Sequence, residues 1–171
     1  MKDSNAYFVT EEKKMSIERV KEYFAKENIE APIMEFDVSS ATVELAAAAI
    51  GCEPERIAKT MAFKDEDGCL LVVIAGDAKV DNAKYKQQFG TKAKMVPIDE
   101  LEQLVGHAIG GVCPFGINEG VPVYLDESLK RFKTVFPACG SSNSAVELTI
   151  AQLEQYSVAI EWVDVCKAWQ E

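Results

Sequence analysis

Residues 106–116, Gly-His-Ala-Ile-Gly-Gly-Val-Cys-Pro-Phe-Gly, gather four of the chain's ten glycines around one proline. Such a stretch is neither helix interior nor ordinary strand. Adjacent Gly110 and Gly111 let the backbone approach another molecule with its N–H groups free. Pro114 stiffens the exit and removes a donor. A loop of this kind holds a carbonyl, carboxylate or phosphate through main-chain groups; a tight structural loop is the alternative that composition leaves open. Gly111 and Gly116 have the spacing of a phosphate-binding loop, but Ile117-Asn118 stands where Lys-Ser/Thr is required. The pattern is not a dinucleotide-binding fingerprint either.

Other chemistry-bearing residues are few. The single histidine, His107, rules out a histidine-rich metal site, and no Gly-x-Ser-x-Gly elbow is present. A thiol hydrolase would have to pair His107 with Cys113, six residues on in the same loop; Cys113 as a small apolar filler is the commoner alternative. Lys59 opens an otherwise apolar run, Thr60-Met-Ala-Phe63, and a lysine so placed can hold a phosphate or carbonyl oxygen. The Gly140-Ser-Ser-Asn-Ser144 turn is the third candidate element.

The elements that must position these residues alternate between helix and strand. Ser16 is an expected N-cap, with Ile17, Val20 and Phe24 forming an apolar stripe up to Asn28; Pro32 follows, then a short strand at Ile33–Phe36. Thr42 caps an expected helix Val43–Ile50 that ends at Gly51, and Pro54 starts a helical turn within Glu53–Ala58. Lys59–Phe63 and Cys69–Ala75, joined through Asp67-Gly68, read as a hairpin whose second strand is central. Helices are expected at Asn82–Phe89 and from Pro97 to Leu104, with a strand at Ala93–Val96 between them. Strands follow at Val121–Leu125, Thr134–Ala138 and Val146–Leu148, then a Thr149-capped helix Ile150–Tyr156 and a strand-like Val158–Val163. This is an α/β (α+β) pattern around a mixed or largely antiparallel sheet.

The 171 residues suit one domain, expected to span 15–171 behind a flexible extension at 1–14. A formal net charge of −10 argues against gripping nucleic acid by overall charge, so any such contact must be local or assisted by a partner. Five scattered cysteines, none in a Cys-x-x-Cys pair, fit neither a disulfide framework nor a zinc site; reduced thiols and a cytoplasmic location are expected. The apolar runs Leu45–Ile50 and Cys69–Ala75 are too short to span a bilayer.

Five segments, in order, resemble the YbaK/ProX family, which is related to the editing domain of bacterial prolyl-tRNA synthetases. They are Thr42-Val-Glu-Leu-Ala46, Arg56-Ile-Ala-Lys59-Thr60, Val73-Ile-Ala-Gly-Asp77 with Asp81, Ile109-Gly-Gly-Val-Cys-Pro-Phe-Gly116, and Cys139-Gly140 up to Val146-Glu-Leu148. The resemblance implies a YbaK-like domain with a barrel-like mixed sheet surrounded by helices. It implies hydrolysis of mischarged aminoacyl-tRNA, with a wrong small amino acid of the cysteine or alanine kind removed from proline tRNA. Lys59 and Gly110 are then the catalytic candidates. Thr42, Gly111, Val112, Cys113, Pro114, Gly140 and Ser141 are the substrate-binding ones. The aminoacyl ester is already activated, so positioning and charge stabilisation suffice without triad, metal or cofactor. Expected partners are the tRNA acceptor end and a prolyl-tRNA synthetase, not a membrane or DNA. Ala138 and Ala145 stand where the cysteinyl-tRNA branch has Ser and Asp. A non-catalytic module of the same fold, binding an aminoacyl-adenosine-like ligand or a protein, is the competing expectation.

Overall fold

The computed structural model describes residues 16–66 and 68–169; the expected extension at 1–14 lies outside them. Helix α1, residues 16–26, turns Ile17, Val20 and Phe24 inward, and the Phe24 ring meets Phe115 edge-on at 5.3 Å. Ser16 lies within this helix, and its hydroxyl is engaged by His107 across the fold rather than by its own helix.

The centre is a hairpin of β2 (Ile57–Asp65) and β3 (Gly68–Ala75), in register from Ala58↔Ala75 to Asp65↔Gly68. Residues Cys69–Ala75 are all buried, as a strand with apolar side chains on both faces must be. Around the hairpin a mixed six-stranded sheet runs β8-β6-β2-β3-β5-β9. Its outer strands are β5 (Val123–Asp126), β6 (Thr134–Pro137), β8 (Leu148–Thr149) and β9 (Glu161–Val163). The β2–β6, β3–β5 and β5–β9 pairings are parallel, while β2–β3 and β6–β8 are antiparallel. Two short antiparallel pairs flank the sheet: β1 (Met34–Glu35) with β7 (Ser144–Ala145), and β4 (Lys79–Val80) with β10 (Cys166–Lys167).

Helix α2 (Val43–Ile50) begins where Thr42 Oγ1 accepts the Leu45 amide at 3.2 Å and ends at Gly51. Helix α3 (Asn82–Phe89) is capped by Asp81, which accepts from Lys84 N at 3.0 Å. Helix α4 (Ile98–Leu104) follows Pro97. Helix α5 (Ile150–Ser157) starts in a reciprocal capping box between Thr149 and Gln152.

The structure corrects several expected boundaries. The Ala93–Val96 strand reduces to one bridge, Phe63↔Met95, because only Lys94 O and Val96 N reach the β2 edge before Pro97 turns the chain away. The late strand is split: β7 and β8 lie on either side of Val146-Glu147, each pairing with a different partner. Val158 takes a left-handed conformation at the end of α5, so β9 starts only at Glu161. The helical turn after Pro54 is a single 3-10 turn, Pro54–Arg56, and β2 already begins at Ile57.

Candidate functional site

The site is a gap in the sheet. The outer edge of β2 is paired with β6 at Ile57–Ala58 and with the 94–96 segment at Ala62–Lys64. Between these anchors Lys59–Met61, paired with β3 on the inner side, has no strand on this outer edge among the described residues. Val96 N donates to Ala62 O, and Lys64 N to Lys94 O, at 3.0 and 2.7 Å. Even-numbered residues of β2 therefore direct their main-chain groups outward, while odd-numbered ones pair with β3. Thr60 shares that parity, so its N–H and C=O face the gap. A cavity of about 600 Å³ opens here, a size suited to a small-molecule or terminal-nucleotide ligand.

Four other elements close the cavity. The Ser40–Glu44 segment brings the N-terminus of α2 to one side. Ile109, Gly110 and Val112 of the glycine loop also line it, with Gly110 packed beside Ala41 and Ser142; Ala138 and Ala145 line the wall between β6 and β7. Met95 and Ile98, both more than half exposed, form part of the rim. Hydrogen bonds hold the walls in place: the main-chain amides of Ser40 to Ser142 O at 2.6 Å and of Phe36 to Asn143 O at 2.8 Å, and the side-chain amide Asn143 Nδ2 to Phe36 O at 2.9 Å.

The two central glycines have separate reasons. Gly110 adopts φ +88°, a region other residues rarely enter. Gly111 has ordinary φ, but a Cβ there would fall 2.5 Å from Gly140 C and 2.6 Å from Ser141 N. The glycine loop therefore packs backbone to backbone on the Gly140 turn. Gly111 N donates to Ala108 O at 3.1 Å, while the amides of Gly110 and Val112 have no acceptor among the described residues. Two free N–H groups on a cavity wall are suited to an oxyanion or carboxylate.

Lys59 lines the cavity and is half-buried. Among the described residues its ammonium makes no ion pair, in contrast to Lys64 with Glu100, Lys84 with Asp164 and Arg131 with Asp77. Arg56, in the same motif, is occupied structurally: it binds Thr134 O at 3.2 Å and Glu147 at 3.3 Å and stacks over Phe136. Two buried hydroxyls lining the cavity, Ser40 Oγ and Thr60 Oγ1, have no hydrogen-bond partner among the described residues. Buried polar atoms are seldom left unpaired without a reason.

The Cys113–His107 pair is close, with Sγ 3.5 Å from Nε2, but it is not a nucleophile and base. His107 Nε2 lies 2.6 Å from Phe115 O, which only accepts, so Nε2 carries the proton and Nδ1 accepts from Ser16 Oγ at 3.0 Å. The nitrogen facing sulfur thus has no lone pair to offer. Burial pulls the His107 pKa down to about 4 and pushes the Cys113 thiol up to about 12. Both side chains are fully buried. The thiol-hydrolase expectation is corrected accordingly: this pair packs α1 against the loop.

Of the residues singled out from sequence, Thr42, Lys59, Gly110 and Val112 line the cavity together. Gly111, Gly140 and Ser141 form the backbone stack behind its wall, where Ser141 Oγ binds Asn143 Oδ1 at 2.9 Å and Ser144 Oγ at 2.8 Å. Cys113 faces the core, and Pro114 lines a separate groove with Tyr23 and Val158. Asp77 is bound by Arg131 and Asp81 caps α3. Sequence reasoning missed Ser40 and the main chain of Thr60. A serine before a helix cap and a threonine after a lysine are unremarkable until the missing strand neighbour is seen. Met61 also lines the cavity.

The sequence profile of the aminoacyl-tRNA editing domain matches residues 38–156, a span that contains every residue discussed as a candidate ligand contact. YwhH of Bacillus subtilis (strain 168), described as uncharacterized, is 53% identical over 157 residues, 91% of this chain and 100% of its own length. Proline–tRNA ligase of Geobacillus sp. (strain WCH70) is 25% identical over 125 residues, 72% of this chain, which spans only 22% of the ligase. A solved structure proposed as a trans-editing enzyme for prolyl tRNA synthetase superposes with a TM-score of 0.81 at 29% identity, covering 89% of this chain and 97% of that one. The chain belongs to the aminoacyl-tRNA editing domain family.

Proposed function

We propose that this protein is a trans-acting deacylase that removes a small amino acid, of the alanine or cysteine kind, from mischarged tRNA, with proline tRNA as the first candidate. The observation that carries this reading is the gap in the β2 edge at Lys59–Met61, on a cavity also lined by Gly110 and Val112, whose amides have no acceptor among the described residues.

In this reading the ester carbonyl lies against those amides and the Lys59 ammonium, and Thr60 offers main-chain and hydroxyl partners to the amino acid's polar end. Water adds to the carbonyl carbon, and the negative charge on its oxygen is held by the preorganised donors. The bond to the ribose oxygen breaks, that oxygen takes the proton, and the amino acid leaves. Ala58, Ala62, Ala138 and Ala145 supply small walls beside Met61 and Val96, which favours a small side chain over a large one. Ala138 and Ala145 themselves bring no polar side chain to this wall, the feature that supports the non-catalytic alternative.

The test is hydrolysis of proline tRNA charged with alanine, cysteine or serine, with and without a prolyl-tRNA synthetase. Turnover of one ester well above the others supports the deacylase and identifies its substrate. Tight binding of an aminoacyl-adenosine analogue with no turnover of any ester would favour the binding module.

A further inference from the structure

The chain is strongly acidic, yet its charge is unevenly spread. Residues 79–96 carry five lysines against a single aspartate, a local net of +4 within a chain of −10. This stretch begins and ends at the cavity: Lys79, Met95 and Val96 all line it. Between them the chain makes one excursion through α3, a helix roughly 12 Å long at about 1.5 Å per residue. The basic surface therefore borders the cavity.

Its charges are also unspent. Lys84 is held by Asp164, at 3.1 Å, and by Cys166 O, at 3.0 Å. Lys79, Lys86, Lys92 and Lys94 are exposed and make no ion pair among the described residues. The one acid of the stretch, Asp81, is turned to the amide of Lys84 as the α3 cap. Lys79 also stands directly opposite Lys167 in the β4–β10 ladder, both exposed. Like charges at such a position oppose each other. Only Tyr85 and, partly, Phe89 are drawn from α3 into the aromatic cluster with Phe63 and Tyr124. Of the other polar side chains on the helix, Lys84 is held as above, Gln88 donates to Glu161 at 3.2 Å, and Lys86 stays exposed.

We propose that the 79–96 surface, with Lys79, Lys86, Lys92 and Lys94 as its contacts, is where the phosphate backbone of a tRNA acceptor stem docks as its 3′ end enters the cavity. This rests on the deacylase reading for the nature of the ligand. The chemistry of the surface is general: lysines neutralise phosphates and release counterions without reading sequence. It also accounts for how a protein of net charge −10 can approach a polyanion, by presenting one basic face beside the opening.

The experiment compares wild type with the triple variant Lys86→Ala, Lys92→Ala, Lys94→Ala, which leaves the cavity-lining Lys79 in place. Binding of deacylated proline tRNA is measured between about 50 and 200 mM salt. Deacylation is measured on the aminoacyl-tRNA and on an aminoacyl-dinucleotide ester too short to reach the surface. The expected result is a tRNA Kd raised about tenfold or more at low salt and a salt slope shallower by about two. The ratio of kcat/KM on tRNA to that on the dinucleotide should fall in parallel. Unchanged tRNA binding and an unchanged ratio would overturn the proposal, whatever the catalytic rate. Weakened binding in the variant, with no hydrolysis of either ester by wild type, would uphold the docking surface and sink the deacylase reading instead.

Discussion

Lys59 and Thr60 are adjacent in sequence but serve the cavity in different ways. Lys59 brings a cation with no ion-pair partner among the described residues, whereas Thr60 brings main-chain groups at an open strand edge and a buried hydroxyl with nothing to bind. Replacing an unsatisfied buried hydroxyl by a methyl removes a desolvation cost and leaves packing intact. Thr60→Val is accordingly expected to keep or raise the melting temperature while lowering kcat/KM for the mischarged ester by about 3–10-fold. Thermal unfolding and steady-state deacylation, run on the same preparation, check both halves; a loss of stability with unchanged activity would give Thr60 a packing role only. His107 makes the opposite kind of contribution. Its burial favours the neutral ring, and the unfolded chain titrates near the ordinary value of 6.5. Above that pH both states are neutral and the stabilisation is complete. As pH falls from about 6.5 toward about 4, the unfolded state takes up a proton that the folded state refuses, so stability declines by up to roughly 3 kcal/mol. In urea unfolding, His107→Gln should start less stable at pH 7 and converge on wild type as the solution is acidified. Parallel curves would show that the imidazole is not the group responsible.

At the scale of elements, the two loops that meet behind the cavity matter more than any helix. Gly111→Ala forces a Cβ onto the backbone at Gly140 and Ser141, which has no flexible side chain to yield. The loop must shift, and deacylation is expected to fall at least tenfold, since small misplacements of aligned groups are costly. Gly51→Ala is the contrasting case. Gly51 ends α2 at φ +84° with open space around the added atom, so the cost is backbone strain of about 1–2 kcal/mol with activity retained. Measuring unfolding free energy and activity for both variants separates loop placement from helix capping; equal activity losses would contradict the distinction. These elements were unequally legible in the sequence. Thr42 and Gly51, and Thr149, marked helix ends because capping is local chemistry. The apolar Cys69–Ala75 run announced a central strand for the same reason. Two-residue ladders such as Lys79–Val80 with Cys166–Lys167 carry no local pattern and arise from tertiary placement. The gap beside Thr60 was illegible in principle, because it is the absence of a neighbour that only the full topology reveals.

For the molecule as a whole, the sheet supplies the cavity by failing to close. β6 leaves β2 after Ala58, the 94–96 segment rejoins it at Ala62, and the glycine loop lines the same cavity. The residues named from sequence as one site divide between this cavity, the backbone stack behind it and the buried core. Among the described residues no helix is long and apolar enough to cross a membrane. Charge is unevenly spread as well: a chain of net −10 carries a basic 79–96 face, so tRNA affinity should depend steeply on salt. The central claim is that Lys59 and the Gly110 and Val112 amides hydrolyse an aminoacyl ester, and single-turnover deacylation of alanyl-tRNA of the proline type, by wild type, Lys59→Ala and Cys113→Ala, tests it most directly. The account predicts fast hydrolysis by wild type, a rate about 10²–10³-fold lower for Lys59→Ala, and a rate close to wild type for any Cys113→Ala protein that remains folded. Loss of activity in folded Cys113→Ala with full activity in Lys59→Ala would contradict it.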